Sequence, residues 1–156
     1  MERRAFLGIV TGGLLAAPLV VEAQQAGKVV RLGYLVAANL AINPHLHEAF
    51  RQGLRDIGYV EGRNLVIEYR SAEGRFERLP ALAAELIALK VDIMLAMNPQ
   101  AALAAKQATN TLPVVFLGVG DPVTDGLVTS LARPGGNVTG LSLSPSPELV
   151  GKRLHC

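Results

Sequence analysis

Asn43-Pro44, Asn98-Pro99 and Asp121-Pro122 each set a short polar acceptor directly before a proline, shortly after an apolar, strand-like run. Asn or Asp in that position accepts a hydrogen bond from an orphan N–H of a new helix, and proline at the first helical position arrives with its φ preset. A helix start of this kind offers N–H groups and partial positive charge to a carboxylate or another anion. The same pairs also serve plain capping, so the chemistry they support is noncovalent binding at a shared edge. The loops beside them run Ala37-Ala38-Asn39, Met97-Asn98-Pro99-Gln100-Ala101 and Gly118-Val119-Gly120-Asp121. Gly118 and Gly120 would let a ligand approach the backbone, although turn geometry accounts for glycines equally well.

Residues for covalent chemistry do not assemble. Gly118-Val119-Gly120-Asp121-Pro122-Val123 lacks the third glycine of a dinucleotide fingerprint, contains a proline and follows the fourth strand instead of the first. There is no Walker loop, and Ser144 stands where the closing glycine of a nucleophile elbow belongs. His45 and His47, two apart near a helix start, point to different faces and read as solvated. His155 and Cys156 form a terminal pair without a partner, and Asn137-Val138-Thr139 matches a glycan acceptor by chance. Glu48, Arg51, Arg55 and Asp56 read as an ordinary solvated helix face. No metal and no cofactor is implied, and the chain is not expected to be an enzyme.

Arg3-Arg4 before Phe6-Leu7, an apolar run from Ala5 to Val21 and the small residue Ala23 have the layout of a secretory leader of twin-arginine type. Glycines and Pro18 interrupt that run, which is shorter than a spanning helix needs. Residues 1–23 are therefore expected to be a cleaved signal peptide, and the mature chain periplasmic. The leader carries two arginines and two glutamates, so the formal charge stays at +2. Such a balance supports neither nucleic-acid nor anionic-membrane binding. Half the residues are hydrophobic but only 4% are aromatic, which suits the aliphatic core of a covered parallel sheet. With Cys156 the sole cysteine, no intrachain disulfide forms.

The elements that would position the Asx-Pro pairs alternate. Strands are expected at 29–36, 65–70, 91–96, 114–118 and 138–143. Helices are expected from Asn43-Pro44 to a stop at Gly58, at 77–89, at 99–109, at 126–132 after the fourth strand, and at 148–154. Leu65, Ile67 and Tyr69 alternate with Glu68 and Arg70, marking the second strand as an edge. The fold class is α/β, a doubly wound parallel sheet of flavodoxin-like order 2-1-3-4-5, with all three pairs at the carboxyl edge where such folds place their crevice.

Gly53-Leu54-Arg55-Asp56-Ile57-Gly58-Tyr59-Val60-Glu61-Gly62-Arg63-Asn64, Glu68-Tyr69-Arg70-Ser71-Ala72-Glu73-Gly74 and Leu79-Pro80-Ala81-Leu82-Ala83-Ala84-Glu85-Leu86 are ordered blocks with a family likeness. So are the stretches 101–109, 118–123 and 130–140. Together they make the chain resemble the substrate-binding proteins of bacterial ABC importers with a type I periplasmic-binding fold. The resemblance implies two lobes that close on a small-molecule solute, amino acids among them, and deliver it to an ABC permease in the inner membrane. It places solute contacts at Ala38, Asn39, Asn98, Gln100, Ala101 and Asp121. Relatives continue through a second lobe, so residues 24–145 read as an N-terminal lobe and 146–156 as the start of a crossover helix. A single lobe would bind weakly or not at all. The readings that compete are an exported enzyme on a flavodoxin-like sheet and a sensory or scaffold lobe that meets a protein partner.

Overall fold

The computed structural model describes residues 27–143. The leader, the helix expected at 148–154 and the terminal His155-Cys156 pair lie outside them.

Five strands form one all-parallel sheet: β1 (Val30–Val36), β2 (Leu65–Ser71), β3 (Ile93–Met97), β4 (Val114–Val119) and β5 (Val138–Ser142), in the order β2-β1-β3-β4-β5. The order is the expected one, with β2 at an edge. Leu65 and Ile67 are buried on one face of β2, and the intervening residues are half-exposed. Three helices connect the strands: α1 (Pro44–Asp56), α2 (Leu79–Ala88) and α3 (Pro99–Ala108). Gly58 ends α1 as expected, at φ 92°, where its N–H reaches the Arg55 carbonyl at 2.9 Å. That left-handed angle suits glycine at a helix end.

The two faces of the sheet differ. On one, α2 and α3 press Leu79, Leu82, Leu86 and a set of alanines against Leu35, Met94, Val114 and Phe116. Ala101, Ala102 and Ala105 are fully buried, and their small side chains let α3 lie close to the strands. On the other face, among the described residues, α1 covers Leu32, Tyr34, Ile67 and Leu95 through Phe50 and Leu54, with Leu40 beside it. No residue of α1 is buried, and an apolar groove of about 440 Å³ stays open along its flank. Leu46 and the C-cap residue Ile57, which stand at helical spacing with Phe50 and Leu54, are 51% and 70% exposed. The helix touches the sheet along a narrower line than its sequence periodicity implies.

Three further expectations are corrected. No helix forms at 126–132; a turn ends at Gly126 and the rest is bends and irregular backbone, in which Leu127 and Val128 nevertheless join the buried cluster. The Lys106 ammonium and the Gly126 carbonyl tie it to α3 at 2.5 Å, and Thr129 Oγ1 donates to the Arg133 carbonyl at 2.9 Å. His47 is half-buried instead of free in solvent: its Nδ1 lies 2.7 Å from the Tyr34 hydroxyl, and the two rings meet edge-on. Arg51 reaches Glu61 at 2.9 Å, but its Nε is buried without a partner, so this part of α1 is not a free solvated face. Asn137 has a structural task, since its Nδ2 donates to the Leu112 carbonyl at 2.7 Å and the Thr109 carbonyl at 3.2 Å. Among the described residues no helix is long and apolar enough to cross a membrane.

Candidate functional site

Because every strand runs the same way, the segments leaving β1, β2, β3 and β4 emerge along one carboxyl rim. Backbone bonds stitch that rim together. Ala72 N–H donates to the Val36 carbonyl at 2.9 Å, and Gly74 N–H to Ala37 at 2.8 Å. The Ser71 hydroxyl donates to the Ala38 carbonyl at 2.8 Å, and the Asn98 N–H to Leu117 at 2.8 Å. Ser142 Oγ donates to the Gly120 carbonyl at 2.6 Å, which ties the β5 end to the β4 loop.

Within the rim lies a concavity of about 270 Å³ lined by Ala37, Ala38, Asn39, Ile42, Glu73, Gly74, Phe76, Asn98 and Gln100. Ala38, Asn39, Asn98 and Gln100, which come from two separate connections, are thereby brought to one place. Ala101 is set apart: its side chain is fully buried, and its N–H is taken by Asn98 Oδ1 at 3.3 Å. Asp121 is also absent from this lining. Its Oδ1 accepts from the N–H groups of Val123 and Thr124 at 3.1 Å each, and its Oδ2 from the Thr124 hydroxyl at 2.7 Å. The Thr124 hydroxyl first, then the Thr124 N–H, hold the Asp121 carboxyl below the usual aspartate range; desolvation opposes them, and the Val123 N–H adds the least.

The Asx-Pro pairs thus divide into three kinds. Asn98 caps a full helix, α3, through its side chain. Asp121 closes a turn. Asn43 makes no side-chain cap; Asn39 instead accepts from Ala41 N–H at 2.8 Å and starts the short 3-10 turn Leu40–Ile42. Asn43 sits at φ −133°, ψ 63°, off the extended geometry typical of a cap.

Asn98 also carries the most unusual backbone of the rim, at φ 79° and ψ 163°. That region is reached almost only by glycine and costs about 1–3 kcal/mol for other residues. Its neighbour Gly118, at φ 75°, sits where β4 shifts register against β5. A side chain at Gly118 would meet the Asn98 N–H at 3.9 Å.

Glu73, Gly74, Phe76 and Ile42 complete the lining and were not singled out from the sequence. The signal available was Phe76 itself, a large apolar residue among Glu73, Gly74, Arg75 and Glu77, ahead of the α2 stripe. Glu73 Oε2 lies 3.5 Å from both Arg75 and Arg78, so one carboxylate and two guanidinium groups stand beside the concavity.

Residues 44–154 match the family of ABC transporter substrate binding proteins. The tyrosine-binding protein of Clostridioides difficile is 36% identical over 120 residues, covering 72% of this chain and 35% of that protein. A conserved domain protein from Vibrio cholerae superposes with a TM-score of 0.71 at 30% identity, over 81% of this chain and 43% of that one. An ABC domain from Streptococcus pneumonia, solved in complex with L-Trp, gives a TM-score of 0.67 at 28% identity, over 72% of this chain and 38% of that one. The chain therefore spans about a third of the curated relative it matches and about two fifths of these solved chains. With the sheet order, the carboxyl-rim concavity and these matches in agreement, the chain belongs to the ABC transporter substrate binding protein family.

Proposed function

We propose that this chain is the solute-capturing part of an ABC importer, exported by the leader at residues 1–23, and that it holds an amino acid or a related small molecule at the carboxyl rim. The observation that carries the reading is the convergence of Asn39, Asn98 and Gln100, from two connections, on one 270 Å³ concavity. The side-chain amides supply donors for a carboxylate, and Glu73, which also pairs with Arg75 and Arg78, supplies an acceptor for an ammonium group. Relatives named for tyrosine binding and solved with L-Trp support an amino-acid solute. Those named relatives are binding proteins, which supports capture over turnover. The family supports delivery to an inner-membrane permease.

Affinity in this chain alone is expected to be low. Small-molecule sites bury about 70–90% of their ligand, and the rim formed by the described residues, open on one side, leaves much of the solute in water. Residues 24–145 are read as one lobe, with a second supplying the facing surface. Isothermal titration with tyrosine and with tryptophan tests this. Weak heat that saturates only at high solute concentration is expected, and tight one-to-one binding would refute the single-lobe reading.

A further inference from the structure

Isolated apolar side chains on a protein surface are ordinary and signify little. Phe76 and Ile42 are placed differently. Phe76 is 53% exposed and Ile42 66% exposed, and neither joins the apolar cluster on either face of the sheet. They come from separate connections, Ile42 from the 3-10 turn Leu40–Ile42 after β1 and Phe76 from the 3-10 turn Phe76–Arg78 after β2. Both nevertheless line the same concavity as Asn39, Asn98 and Gln100. The other large apolar residues that stand exposed around the rim, Val123, Leu141 and Leu143, do not line it.

From this placement we infer that Phe76 and Ile42 form the specificity wall of the site, receiving the apolar side group of a solute whose polar head lies on the amides of Asn39, Asn98 and Gln100. The inference rests on the amino-acid-binding reading and narrows it to solutes with an aromatic or branched aliphatic side group. Neither side chain is needed to fill the fold, since each leaves half or more of its surface in water. A solute that covers half of the exposed Phe76 surface, about 50 Å², gains about tenfold in affinity over one that does not. The ring also offers a flat face for stacking. A polar side group laid on the same wall loses hydration without a new partner and is disfavoured.

The test is an amide NMR titration of the chain with phenylalanine, leucine, serine and glutamine, a method that registers weak binding. The resonances of Ala38, Asn39, Asn98 and Gln100 should shift, with phenylalanine and leucine reaching half-saturation at concentrations about tenfold lower than serine and glutamine. Phe76→Ala should remove most of that preference, weakening phenylalanine and leucine binding far more than serine binding, and Phe76→Leu should retain it for leucine. Ile42→Ala, from the other turn, carries the same expectation should Phe76→Ala fail to fold. Equal half-saturation for all four solutes, or a preference untouched in the folded variants, overturns the specificity wall and leaves the binding site standing. If none of the four moves the rim resonances, the amino-acid site falls and the wall falls with it.

Discussion

Replacing Asn98 separates two effects that the structure superimposes at one residue. Its backbone, at φ 79° and ψ 163°, favours glycine, whereas its side chain caps α3 by accepting from the Ala101 N–H at 3.3 Å. Asn98→Gly relieves about 1–3 kcal/mol of backbone strain. It loses a few tenths of a kcal/mol in capping and about 0.5–1 kcal/mol through the freer unfolded chain. Asn98→Ala keeps the strain and loses the cap, a cost of about 1 kcal/mol. The glycine variant should therefore be the more stable of the two by about 1–3 kcal/mol, and equal to or above the parent. Urea unfolding followed by circular dichroism measures the difference as a shift in midpoint at constant slope. Both variants should lose solute-induced shifts at the rim, since each removes the amide from the concavity. An alanine variant as stable as the glycine variant would refute the reasoning, because it would show that the backbone at this junction stores no strain.

Other consequences are equally open to measurement. A Cβ on Gly140 would fall on the Phe116 carbonyl and ring; Gly140→Ala should cost about 2–3 kcal/mol and loosen β5, seen as faster amide exchange from Val138 to Ser142, and a neutral effect would contradict the register of that strand. Burial, with a smaller contribution from Tyr69, pushes the Tyr34 phenol up to about 12. The neutral phenol is thus favoured by folding: its contribution to stability is complete below the unfolded value of about 10 and is lost as pH rises towards the folded value. Alkaline titration by phenolate absorbance should find Tyr34 ionising late, and a native protein whose three tyrosines all ionise together near 10 would contradict that burial.

The sequence by itself determined the sheet. Nearly continuous apolar runs in β3 and β4, the alternation of Leu65, Ile67 and Tyr69 in β2, and helix periodicity between them are local patterns, and they specify parallel strands, an edge and an order. The stop at Gly58 was legible for the same reason, since a glycine after a periodic run meets a local backbone demand. What lay on the rim was only partly legible. Asn39, Asn98 and Gln100 could be placed there because Asx-Pro spacing and strand ends mark the carboxyl edge. That Ile42 and Phe76 line one concavity could not be foreseen, because it depends on how two short 3-10 turns from neighbouring strands are tied across the sheet by Ala72, Gly74 and Ser71. The tertiary structure also decided that Ala101 is buried, that Asp121 spends its carboxylate on Thr124, and that 126–132 forms irregular backbone anchored on α3. Each of these outcomes rests on which donor or apolar surface comes within reach across the fold. Periodicity carries no information about such distances, so they are settled only when the strands are laid side by side.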